Sequence, residues 1–192
     1  MLSQRHALAD EDDRLLDAAR ACVLAVGVRR TTVTDVARRA RVSRMTLYRR
    51  FPDLEGVLGA LMTREFGRVV AVAAEHAEGA TARERVVAMV VHGARSLAED
   101  PLFVRLLDVD PELLLPYVTQ RLGGMQKMAV AAGAQALAPP DGSVRTDVSP
   151  AVLSAAIELI ARGFVLAAHA ELEPELDLWA ELARAIDGYL RP

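Results

Sequence analysis

The stretch TTVTDVARRARVSRMTLYRRFPDLEGVL, residues 31–58, decides the fold. Its punctuation is that of short helices. Thr32 and Asp35 form a Thr-x-x-Asp pattern, close to a capping box, in which a side-chain oxygen before a helix satisfies an orphan backbone N–H. Val33, Val36, Ala37 and Ala40 then recur at the spacing of one inward helical face. Ser43 is placed to cap a further helix with Leu47 and Phe51 on its buried side, and Pro52, lacking an N–H, stops it. Between the two lies a tight turn, Ala40-Arg41-Val42, where glycine would be the easier residue. Upstream, Leu15, Ala19, Cys22 and Val26 make an apolar stripe over 11–27 that Gly27 closes. A helix followed by two short ones joined by a tight turn is helix-turn-helix geometry. In that motif the third helix lies in the major groove of DNA, its N-terminal residues facing base edges.

The charge distribution fits such a use. The 192-residue chain has a net charge of −3, yet residues 29–50 hold eight arginines against one acid, Asp35. That segment carries +7, so the remainder carries −10. A basic block on an acidic body points to a localised anionic partner rather than to general stickiness. A run of arginines is ordinarily just a solvated helix face; the turn spacing and the charge asymmetry together favour DNA.

The rest of the chain repeats the helical grammar. Asp53 is placed to cap a long fourth helix reaching about Glu78, and Thr81-Ala-Arg-Glu84 is a capping box. Asp100-Pro101, Asp110-Pro111 and Ser149-Pro150 each set a capping side chain before a proline, and Glu173-Pro174 sets a proline where a helix could start. About nine helices and no alternating strand are expected, an all-α fold. Residues 138–149 are the clearest loop.

Composition bounds the class. Hydrophobic residues make up 52% of the chain, against the usual ~45–50%, which excludes disorder. A single cysteine, Cys22, precludes an internal disulfide, and the polar start lacks a signal-peptide core, so a cytoplasmic protein is expected. Residues 151–170 approach membrane-span length, but Glu158 and Arg162 sit inside at a pairing spacing, so a buried helix is the better reading. The four histidines are scattered, so no metal site is expected. Neither a cofactor loop nor a catalytic constellation stands out.

Residues 31–58 resemble the amino-terminal signature of the TetR family of transcriptional regulators. The resemblance rests on the Thr-rich start, V-A-x-x-A in the second helix, V-S opening the third, T-L-Y, and F-P-D before the fourth. A weaker echo follows in Gly142, Arg145, Asp147 and Pro150, ahead of a helix carrying Gly163. The resemblance implies a helix-turn-helix domain over 10–56, with its motif at 32–51, and a larger helical domain over 57–192 for ligand binding and dimerisation. It implies a homodimeric repressor on a palindromic double-stranded operator, released by a small apolar or amphipathic effector.

Carried onto this chain, the family pattern brings Arg44, Met45 and Tyr48 to base edges, Arg44 suiting guanine O6 and N7. Thr32, Thr46, Arg49 and Arg50 would hold phosphates, Thr34 could touch either, and Ser43 opens the reading helix. The family usually has glycine at position 41 and often a basic residue at 54. Here Arg41 and Leu54 stand there, so one usual phosphate anchor is missing.

In the second domain, Met62, Phe66, Met89, His92, Arg95, Phe103, Leu107, Tyr117, Met125, Phe164 and His169 are the candidates to line an effector pocket. Ordinary core packing competes for each of them. Residues 151–190, with Trp179, Leu182, Ile186 and Tyr189 at helical spacing, are the expected dimer interface by the same resemblance. The competing reading of the whole chain is a helical small-molecule-binding protein or enzyme with an incidental basic patch.

Overall fold

The computed structural model describes residues 2–115, 123–138 and 140–192, with side chains from Glu11 on. Among these residues nine α-helices and a short 3₁₀ turn follow one another and no strand occurs. The helices are α1 (Leu2–Val26), α2 (Val33–Ala40), α3 (Arg44–Arg50), α4 (Leu54–Glu75), α5 (Ala82–Ala98) and α6 (Pro101–Val109). After the 3₁₀ turn (Pro111–Leu113) come α7 (Gly124–Leu137), α8 (Pro150–Ala167) and α9 (Leu178–Leu190). The all-α expectation holds. Helix α1 begins well before the 11–27 stripe, and α4 stops short of Glu78.

The chain packs as two units. One comprises α1 to α3, the opening of α4 as far as Glu65, and α6 with its following turn. The other comprises α4 from Phe66, α5, and α7 to α9. This corrects the contiguous division into 10–56 and 57–192. Val57 and Leu61 of α4 and Leu102 of α6 are fully buried in the first unit's core, so that core recruits chain from beyond residue 56. There they meet Leu15, Ala19, Cys22 and Val23 of α1, Val36 and Ala37 of α2, and Leu47 of α3. Burying each of the larger side chains contributes about 1.5–3 kcal/mol.

The return of α6 is latched by a carboxylate. The Asp-Pro pattern predicts that Asp110 caps the 3₁₀ turn, but no side-chain capping bond forms there. Asp110 is instead 2% exposed and accepts the Val28 backbone N–H at 2.6 Å. Arg29 Nε lies 4.0 Å from its other oxygen, and Arg29 also pairs with Glu112 at 2.6 Å. A buried carboxylate needs such donors, and the α1–α2 loop supplies them. Gly27 makes the approach possible. Its φ is +85°, and a Cβ there would lie 2.7 Å from Asp110 Oδ2 and 2.8 Å from Val109 Cγ1.

In the second unit, α5 packs against α7, α8 and α9. Its capping box forms as expected, with Thr81 and Glu84 exchanging bonds. Helices α7 and α8 cross closely at Gly133, where a Cβ would overlap the Ser154 hydroxyl; that hydroxyl donates to Val130 O at 2.8 Å. Ser149 caps α8. Helix α8 alone among the described helices is long and apolar enough to cross a membrane, but it packs against α5, α7 and α9, and Arg162 pairs with Glu158 at 3.1 Å. The Glu173-Pro174 start is corrected: a turn sits there, and α9 begins at Leu178 behind the Asp177 cap, which accepts the Ala180 N–H at 3.0 Å. Asp is the better cap, since its short carboxylate reaches the first-turn N–H groups.

The crowding at Gly27 gives a direct test. Gly27→Ala adds a methyl against Asp110 and forces a left-handed alanine, so it should cost about 2–4 kcal/mol in urea unfolding. A loss below about 1 kcal/mol, the ordinary range for a mild backbone change, would contradict the packing described.

Candidate nucleic-acid interface

The α2–turn–α3 segment is fixed by local bonds before any partner is considered. Thr32 opens α2, its hydroxyl accepting the Asp35 N–H at 3.2 Å. The end of α2 closes in the left-handed turn that helices commonly use. Val42 N–H reaches Ala37 O at 3.0 Å and Arg41 N–H reaches Arg38 O at 3.2 Å, the paired bonds of a Schellman motif. Val42 also packs against the core that holds Ala37, as that motif's hydrophobic contact requires. Arg41 takes the left-handed position, φ 58° and ψ 40°, and is the one non-glycine residue with positive φ among those described. Ser43 then caps α3, accepting the Thr46 N–H at 3.0 Å and bonding the Thr46 hydroxyl at 2.9 Å.

Burial of Leu47 fixes the rotation of α3. With that face inward, Arg44, Met45, Tyr48 and Arg49 stand in solvent. Met45 is 76% exposed and Tyr48 49%. A lone exposed methionine carries no message. Here Met45 and Arg49, and Arg44 and Tyr48, are each four residues apart, so they form one contiguous face of apolar and cationic groups. Such a face suits a groove that offers thymine methyls, guanine acceptors and phosphates together. Thr32, Thr34 and Ser43 are also exposed, and Thr46 is half-buried.

The eight arginines divide sharply. Arg29 is held by Asp110 and Glu112, and Arg38 by Asp35 at 2.8 Å. Arg50 forms a two-pronged ion pair with Asp12 of α1, its Nε donating at 2.6 Å. Its half-buried guanidinium ties α3 to α1, so the phosphate-holding role expected of Arg50 competes with an internal carboxylate. The partner lies 38 residues away in sequence, and only the acid-rich run 10–13 hints at it. Arg30, Arg39, Arg41, Arg44 and Arg49 make no ion pair among the described residues.

Cys22 lies under this segment, buried. Burial pushes its thiol up, against the opposing influence of Arg39 and Arg38, so the reactive thiolate is disfavoured. No group of three metal-ligating side chains occurs among the described residues.

The effector candidates fall in both units. Met62, Phe103 and Leu107 belong to the first unit, where Phe103 is buried and Met62 packs on the core. Phe66, Met89, His92, Arg95, Met125, Phe164 and His169 belong to the second, where Phe66 and Met89 are buried. Tyr117 lies outside the described residues. His92 stacks on His76 with ring centroids 3.8 Å apart, Arg95 pairs with Glu99 at 2.9 Å, and a His169 ring nitrogen lies 2.9 Å from Ala98 O. His92 and Arg95 also border an open depression of about 320 Å³ with Val87, Val91 and Trp179.

A capped helix, a left-handed turn and a solvent-facing third helix bearing unpaired arginines define a helix-turn-helix protein. Comparison with known sequences gives the family. Residues 15–61 match the family described as bacterial regulatory proteins, tetR family. Over 195 aligned residues the chain is 35% identical to the uncharacterized HTH-type transcriptional regulator Mb2274c of Mycobacterium bovis, covering 99% of this chain and all of that protein. The chain belongs to the TetR family of helix-turn-helix transcriptional regulators and is a DNA-binding transcriptional regulator. Two solved structures share the fold. The transcriptional repressor QsdR of R. erythropolis matches with a TM-score of 0.67 at 22% identity, over 95% of this chain and 96% of its own. FadR of Bacillus subtilis, solved with stearoyl-CoA, matches with a TM-score of 0.63 at 18% identity, over 93% and 98%.

The Arg50–Asp12 pair predicts a stability effect. Arg50→Ala and Asp12→Ala should each lower stability by about 1 kcal/mol, and the double variant should lose no more than either alone. Additive losses in a double-mutant cycle would show that the pair is not coupled.

Proposed function

We propose that this regulator is a dimeric repressor that reads a palindromic operator with α3 and leaves it when a small apolar or amphipathic effector binds. The observation that carries the reading is the exposed face of Arg44, Met45, Tyr48 and Arg49 on a helix whose rotation Leu47 fixes. Arg44 would donate two bonds to a guanine, Met45 would pack on a thymine methyl, and Tyr48 would border both. Arg49, Thr32 and Thr46 would hold phosphates, with Thr34 at the edge and Ser43 presenting the helix. Arg50 holds α3 in place through Asp12.

The outward face of α8 supports dimerisation. Val152 and Leu159 are 53% and 60% exposed and lie seven residues apart, on the same side as the exposed Gly163. The expected contribution of α9 is smaller, because Leu182 and Ile186 are fully buried within their own unit. A two-fold pairing through α8 would present two reading helices to two half-sites. For the effector, QsdR is named a repressor and FadR was solved with an acyl-CoA, which supports a ligand with an apolar body. Phe66, Met89, Met125 and Phe164 of the second unit could offer it apolar contacts. His92, Arg95 and His169 could offer polar ones.

In vitro selection of bound duplexes, followed by gel shift at several salt concentrations, tests this. The wild type should recover a two-fold-symmetric site. Arg44→Ala should lose about 1–3 kcal/mol of discrimination at one base position, while Arg49→Ala should weaken all sequences alike and lower the salt slope by about one. Failure to recover any preferred sequence would overturn the operator reading, and a uniform loss on Arg44→Ala would overturn the base-reading role.

A further inference from the structure

We infer that Arg41 is a DNA-contacting residue, retained in a strained turn for its charge. The inference rests on α3 being the reading helix. Arg41 occupies the left-handed position of the Schellman turn, with φ 58° and ψ 40°. Every other residue with φ in that positive range among those described is a glycine. Glycine adopts this conformation without the clash of Cβ against the following carbonyl, whereas arginine bears it.

Nothing in the fold compensates the arginine. Its side chain is exposed and makes no hydrogen bond or ion pair among the described residues. It does not cap a helix through its guanidinium and covers no core. The neighbouring Arg38, by contrast, is held by Asp35, and Arg50 by Asp12. A side chain that strains the backbone and makes no internal contact points to a role outside the chain, since backbone strain of this kind concentrates where a fold serves a partner.

The position says which partner. Arg41 stands three residues before Arg44, at the turn that delivers the N-terminus of α3. A docked α3 brings that turn close to the phosphate backbone flanking the groove. An arginine side chain spans enough length to reach a phosphate there, and its fork matches phosphate oxygens. As a phosphate contact, Arg41 adds affinity and salt dependence without adding sequence preference.

The test uses the full-length protein and a duplex recovered by selection with the wild type. Arg41→Gly removes both strain and charge, Arg41→Gln removes the charge alone, and Arg41→Lys keeps the charge. Arg41→Gly should raise the melting temperature by about 2–4 °C. It should also bind about three- to tenfold more weakly, with the slope of log K against log salt reduced by about one. Arg41→Gln should show the same loss of binding without the gain in melting temperature, and Arg41→Lys should keep most of the affinity and the wild-type slope. If the Gly and Gln variants bind with wild-type affinity and slope while Arg49→Ala weakens as expected, the inference fails and the reading helix stands. Weaker binding with an unchanged slope would assign the effect to turn geometry and also overturn it. If the wild type and Arg49→Ala recover and bind no preferred duplex, the reading of α3 fails, and this inference with it.

Discussion

The placement of α3 depends on the burial of Leu47 under α1 and α2. That side chain is fully enclosed, and with it Val36 and Ala37 of α2. A helix of only seven residues has little stability of its own, so packing must hold it. Once Leu47 is inward, the helical period sends Met45 and Arg49 to one side of the solvent face and Arg44 and Tyr48 to its border. The Schellman turn at Arg41 and Val42 sets where α3 begins, and the Arg50–Asp12 pair holds where it ends. The reading surface is therefore specified by one buried leucine, one turn and one ion pair. No bond to DNA is required to shape it.

This is why so much of the motif is legible in the sequence. Caps, turns and the 3.6-residue period are local, so Thr32, Ser43 and the inward face of α2 can be read from neighbours in the chain. Arg41 stands out as an atypical turn residue for the same reason. Apart from the helix start at Glu173-Pro174, where the local Asp177 cap prevails, the differences involve partners distant in sequence. Asp110 looks like a cap for its own proline, yet its carboxylate goes to Val28, 82 residues away. Arg50 reads as a free cation because its acid, Asp12, belongs to another helix. Val57, Leu61 and Leu102 fall outside the expected domain boundary because a core assembles by proximity in space, which a linear division cannot express.

The second unit is legible in its helices but not in its use. Apolar side chains at helical spacing read alike whether they fill a core or wall a cavity. Leu182 and Ile186 illustrate the ambiguity: their spacing with Trp179 and Tyr189 matches an interface, but they are enclosed by their own unit. Val152 and Leu159 of α8, by contrast, are large apolar side chains that stand in solvent.

The charge of the basic segment also reads differently once the partners are known. Counted along the chain, 29–50 carries +7, and Asp35 is the single acid. In the fold, Asp12, Asp110 and Glu112 approach from elsewhere, and together with Asp35 they engage Arg29, Arg38 and Arg50. The arginines without an acid partner, at 30, 39, 41, 44 and 49 among the described residues, then set the field that an approaching phosphate feels. Coulomb energy falls with distance and salt screens it within about 10 Å, so these side chains act as separate local contacts more than as a uniform patch. The nominal count overstates the attraction, while the acidic remainder disfavours binding elsewhere on the surface.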